Sequence, residues 1–135
     1  LHGIRSVARQ RMAPTRFLVV DDSPDMRFLV VRVLRRIEPQ ARVEAARDGE
    51  EALARLRNAG EGDGLVVITD YDMGPGATGV ELLAKIKVLH PRARRVLFTG
   101  HDPERIERAA SEPHAIISKA GGTDRLCEFL RAERR

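Results

Sequence analysis

Two adjacent acids, Asp21-Asp22, follow the apolar run Phe17-Leu18-Val19-Val20, and Asp70, with Asp72 two residues on, follows Leu65 to Thr69. Thr99-Gly100 closes a third run at Val96 to Phe98, and Ser118-Lys119 closes a fourth at Ala115 to Ile117. Each feature is ordinary alone, since an acid pair before a helix is commonly a cap and a lysine at a strand end is commonly a solvated charge. Together they set acids, a hydroxyl and one ammonium at the ends of four hydrophobic segments. Carboxylates crowded into one place repel, by about 4 kcal/mol for a pair about 4 Å apart at an effective dielectric of about 20. A cation must neutralise them, and carboxylates with water are the ligand set of magnesium.

The elements that position these residues follow from periodicity. The four runs are short and continuously apolar, the pattern of central parallel strands buried on both faces. Arg42-Val43-Glu44-Ala45 alternates instead, which predicts a strand at the sheet edge. Met26, Leu29, Val30, Val33 and Ile37 fall on one helical face, as do Leu82, Leu83, Ile86 and Leu89. Ser23-Pro24 and Asp102-Pro103 each set a capping residue before a proline at the first helical position. Gly49 opens a helix over Glu50 to Asn58, and Thr123 or Asp124 caps a last helix through Ala132. Five strands alternating with five helices predict an α/β fold with a doubly wound parallel sheet. Ligands of such sheets bind outside the carboxyl ends of the strands, where the acids, Thr99 and Lys119 fall.

The 135 residues make one ordinary domain, 42% hydrophobic and 33% charged, without Trp. The longest apolar runs, such as Leu65 to Ile68, are far shorter than the roughly 20 residues that span a bilayer. Cys127 is alone, which excludes an internal disulfide, and Leu126, Phe129 and Leu130 around it predict a buried, inert thiol. The net charge of +4 comes from Arg5, Arg9, Arg11 and Arg16, because residues 17–135 hold 20 basic and 20 acidic groups. Residues 1–16 are therefore expected to be a basic tail, disordered or partly vector-derived with a native start at Met12, and 17–135 the domain. No direct nucleic-acid contact and no membrane association are expected. An absent secretory signal and an unpaired Cys127 predict a cytoplasmic protein.

Val20-Asp21-Asp22-Ser23, Ile68-Thr69-Asp70, Phe98-Thr99-Gly100 and Ser118-Lys119, in that order, resemble the receiver domain of two-component response regulators from about Phe17 to Ala132. The resemblance implies a flavodoxin-like strand order 2-1-3-4-5, an order that general accounts of this fold already illustrate with a receiver. It implies that Asp70 is the phosphoacceptor. It implies also that Asp22 and Asp70 hold Mg2+, with Asp21 assisting through water and the backbone carbonyl of Asp72 completing the site. Thr99 and Lys119 would contact the phosphoryl oxygens. The donor would be a sensor histidine kinase or a histidine phosphotransfer protein, or a small acyl phosphate. A downstream protein would read the changed surface, and a homodimer through the last helix is common in the family. Such a chain is a signalling phosphoacceptor that catalyses only its own phosphorylation and dephosphorylation, not an enzyme. A carboxylate nucleophile, with charge neutralised by a metal and a lysine, suits that chemistry.

Three positions depart from the family pattern. The loop Met73-Gly74-Pro75-Gly76-Ala77-Thr78-Gly79 reaches its last glycine one residue later than usual. Ala120 follows Lys119 where the family has a proline in a cis peptide, so Lys119 is open to a different seat. Ile116 occupies the position that is usually aromatic, so rotation of a Tyr or Phe cannot report phosphorylation and the relay must differ or be absent. His101, two residues past Thr99, can with Asp72 tune access of water to an acyl phosphate. Two further readings compete: a receiver-like interaction module that never uses phosphate, and a phosphatase of the haloacid dehalogenase type, whose nucleophile motif Asp70-Tyr71-Asp72 resembles. The second would need further acids downstream, whereas the paired acids here lie upstream.

Overall fold

The computed structural model describes residues 15–57, 64–74, 76, 78–102, 106 and 113–133. Five strands and four helices lie among them: β1 (Arg16–Val20), α1 (Pro24–Ile37), β2 (Arg42–Ala46), α2 (Gly49–Arg57), β3 (Leu65–Thr69), α3 (Gly79–Leu89), β4 (Arg94–Thr99), β5 (Ala115–Ser118) and α4 (Asp124–Glu133). The expected helix after Asp102-Pro103 falls largely outside the described residues.

The strands form one parallel sheet in the order β2-β1-β3-β4-β5, the doubly wound flavodoxin-like architecture. Because side chains alternate along a strand, Leu18, Val20, Val67 and Leu97 face one layer, with Leu56 of α2 and Leu82, Leu83 and Ile86 of α3. Phe17, Val19, Val66, Ile68, Val96 and Phe98 face the other, with Val30 and Leu34 of α1 and Leu126 and Leu130 of α4. Sandwiched between helices, β3 is buried at every residue, which is why it reads as a continuous apolar run.

Several expectations shift. β5 is an edge strand, not a central one, and Ile116 on it is 38% exposed. The buried stripe of α1 centres on Val30 and Leu34, while Leu29 stands 43% exposed; on α3, Leu89 is exposed too. The ordered sheet begins upstream of Phe17, since Arg16 starts β1 and pairs with Glu44 at 2.7 Å, and the carbonyl of buried Thr15 accepts the N–H of Arg42. Cys127 is half-buried instead of enclosed.

Side-chain caps fix the starts of two helices. Ser23 caps α1, its hydroxyl accepting the Met26 N–H at 3.2 Å, with Pro24 behind it. Thr78 caps α3 in a reciprocal box with Glu81.

Candidate functional site

The carboxyl ends of β1, β3, β4 and β5 open on one cleft of about 480 Å3, lined by Asp22, Asp70, Asp72, Gly100, His101 and Lys119 among others. Asp21, immediately beneath, is 4% exposed. Its N–H donates to the Ala46 carbonyl at 3.1 Å, which ends β1 against β2, and its Oδ1 accepts the Ser23 N–H at 2.9 Å. Asp22 is the exposed member of the pair. Asp70 leaves β3 with its N–H on the Val20 carbonyl at 3.0 Å, and its Oδ1 accepts the Tyr71 N–H at 2.7 Å.

Lys119 crosses from the end of β5 to join these acids. Its Nζ donates to Asp21 Oδ2 at 2.9 Å and to Asp70 Oδ2 at 3.1 Å, and its N–H bonds the Thr99 carbonyl at 2.9 Å. No peptide among the described residues is cis, so Ala120 does not keep Lys119 from the site. Burial alone would lower the pKa of Lys119, but hydrogen bonds and charge from Asp21 and then Asp70 outweigh it and raise the value above 10.5. The ammonium is therefore a fixed cation.

Carboxylate oxygens of Asp21, Asp22 and Asp70 lie within 4.8 Å of one another. Two of the three, Asp21 and Asp70, share the Lys119 ammonium while Asp22 has no such partner among the ion pairs of the described residues, and all three are hard oxygen donors, so the residues fit Mg2+ with water completing its shell. The side chain of Asp72 points out, 69% exposed, with its Oδ2 3.9 Å from His101 Nε2. His101 stacks edge-on against Tyr71, ring centroids 5.1 Å apart. Thr99 is fully buried, and its hydroxyl accepts the His101 N–H at 3.1 Å, setting the Gly100-His101 turn instead of lining the cleft. Ile116 lies on β5 opposite Leu97 and does not line the cleft.

Two contributors escaped the sequence reading. A Cβ on Gly79 would sit 1.9 Å from the Asp70 carbonyl oxygen, so only glycine lets α3 start against the end of β3, where its N–H bonds the Tyr71 carbonyl at 2.8 Å. Its chain position was visible, but not the close approach. Arg27 donates to the Asp21 carbonyl at 2.7 Å; an arginine on a helix flank carries no sequence signal of that contact.

A strand-end cluster of this kind on this strand order defines a class, and the response regulator receiver domain model matches residues 17–131. The chain belongs to the response regulator receiver domain family and is a receiver domain of the two-component response regulators. It is 35% identical over 111 residues to the nitrogen assimilation regulatory protein NtrX of Azorhizobium caulinodans, a match that covers 81% of this chain and 24% of that relative. The chain thus spans about a quarter of the curated relative's length. Among solved structures it is similar to the response regulator TrrA of Thermotoga maritima, described in complex with Mg2+-BeF: TM-score 0.74, 28% identity, 87% of this chain and 97% of that one covered. The same TrrA is also described in complex with histidine kinase ThkA. The chemotaxis response regulator CheY4 of Vibrio cholerae matches with TM-score 0.73 and 27% identity, over 88% of this chain and 98% of its own.

Proposed function

We propose that this receiver takes a phosphoryl group onto Asp70, from a phosphohistidine of a sensor kinase or phosphotransfer protein or from a small acyl phosphate. The observation that carries the reading is Lys119 Nζ, 2.9 Å from Asp21 and 3.1 Å from Asp70, joining the ends of β1, β3 and β5. An Asp70 carboxylate oxygen attacks phosphorus, the bond to the donor nitrogen or oxygen breaks, and the donor leaves with its electron pair. Lys119 neutralises charge on the transferring group, and the Tyr71 N–H holds the other carboxylate oxygen in place.

Asp22 and Asp70 are the direct protein ligands for Mg2+ in this reading, with Asp21 acting through water and the Asp72 backbone carbonyl completing the set. The ion, when bound, supplies positive charge to the phosphoryl oxygens. The Mg2+-BeF complex of TrrA supports the assignment for a protein of the same family, and the ThkA–TrrA complex supports a kinase as partner. Lys119 contacts the transferred phosphoryl while buried Thr99 holds the Gly100-His101 turn beside it, and movement of the β4 and β5 ends changes the face that a downstream protein reads. Ile116, partly exposed and aliphatic, takes no aromatic part in that relay. His101, held near Asp72 and against Tyr71, tunes water access to the acyl phosphate. The setting is cytoplasmic, and dimerisation through α4 is compatible with the family.

Intact mass spectrometry after incubation with a small acyl phosphate tests the reading. One phosphoryl mass gained only with Mg2+ is expected; no gain by the folded protein would favour an interaction module that does not use phosphate.

A further inference from the structure

Asp22 is held less by its own side chain than by the peptide that joins it to Asp21. Asp21 is buried and bonded on three sides: its N–H to Ala46, its Oδ1 to Ser23 and its Oδ2 to Lys119. Asp22 then projects, exposed, into the cleft. The orientation of its carboxyl depends on how the Asp21–Asp22 peptide plane is turned, and the carbonyl of that plane accepts Arg27 Nη1 at 2.7 Å. Arg27 sits near the start of α1, with its own N–H on the Ser23 carbonyl at 3.0 Å. The helix therefore braces the turn through its backbone carbonyl.

We propose that Arg27 is a positioning residue for the Mg2+ site, fixing the Asp21–Asp22 peptide and through it the Asp22 carboxyl. The inference rests on the metal reading above. A guanidinium suits the task because its planar fork holds a donor in a fixed direction, where an ammonium pivots. Groups that orient metal ligands without touching the metal commonly govern affinity by about 10- to 100-fold. The charge of Arg27 acts the other way: a cation beside the site repels Mg2+, so deleting it would tighten binding if charge were its main effect. Bracing and charge thus predict opposite signs.

Mg2+ titration by calorimetry on the full chain separates them, with wild type, R27Q, R27K and D22N compared. R27Q is expected to bind Mg2+ about tenfold more weakly. In metal-free R27Q the Asp22 and Ser23 amides should exchange hydrogen faster, with the β3 and β4 amides unchanged. Binding by R27Q as tight as wild type, or tighter, overturns the inference. Should R27Q lose protection throughout the sheet, R27K decides: weaker binding with the charge retained supports bracing, and affinity equal to wild type overturns it. Wild type that binds no Mg2+, or D22N that binds as well as wild type, overturns the metal reading itself and this inference with it.

Discussion

Lys119 contributes a cation whose position is set from two directions, by its own N–H on Thr99 and by the acids its ammonium reaches. In the proposed phosphoryl transfer, removing that charge removes electrostatic stabilisation where the transferring group gathers negative charge, a loss commonly worth about 10²- to 10³-fold in rate. Lys119→Met is therefore expected to accept phosphoryl from a small acyl phosphate at least about a hundredfold more slowly, followed by intact mass over time. His114 is the second residue with a legible titration. Its Nδ1 accepts the Arg95 N–H at 3.0 Å, which requires that nitrogen unprotonated, and burial followed by the charges of Arg95 and Arg94 lowers its pKa below 6.5. The unfolded chain then binds more protons than the folded one below that value. The contribution of His114 is complete above pH 6.5 and is lost as pH falls through 6.5 towards the folded value. A urea midpoint that falls between pH 7.5 and 5.5 should fall less in His114→Gln; an equal fall in both proteins would contradict this.

Among the elements, α1 shows what periodicity can and cannot resolve. The helix start was legible from Ser23-Pro24, because a capping hydroxyl and a proline say where backbone N–H groups go unpaired. The apolar face was legible only to within about one residue of rotation: Leu29 was expected on the stripe, yet Leu34 is fully buried and Leu29 is 43% exposed. Both are leucines on a helix with apolar residues at neighbouring positions, and tilt against the sheet decides between them. Leu34→Ala should cost about 2–5 kcal/mol and Leu29→Ala within about 0.5 kcal/mol, read from urea midpoints. Similar losses at both positions would place the stripe wrongly. α3 carries a start signal of its own. Thr78 and Glu81 carry the capping-box spacing, and Gly79 between them packs against the Asp70 carbonyl. β5 lies at the edge although Ala115-Ile116-Ile117 is as apolar as a central strand, and of these three only Ile117 is buried. Composition does not reveal which strand ends the sheet.

For the whole molecule, the order of acids, hydroxyl and lysine along the chain carried more information than any composition figure, because a doubly wound sheet brings successive strand ends to one edge. Asp21, Asp22, Asp70 and Lys119 meet as that topology requires, across as many as 98 residues of chain. Thr99 shares the edge but is buried beneath it, its hydroxyl committed to the His101 N–H. Whether a side chain at a strand end tops the cleft or underlies it depends on turn geometry that spacing does not encode. The arrangement as a whole makes one claim above the others, that Asp70 is the atom donor to phosphorus and its neighbours serve it. The direct test is to phosphorylate the protein with a small acyl phosphate and Mg2+, reduce the acyl phosphate with borohydride, and locate the product by tandem mass spectrometry. Reduction to homoserine at position 70, absent in Asp70→Asn, is the predicted result. Reduction at another carboxylate, with position 70 unchanged, would contradict it.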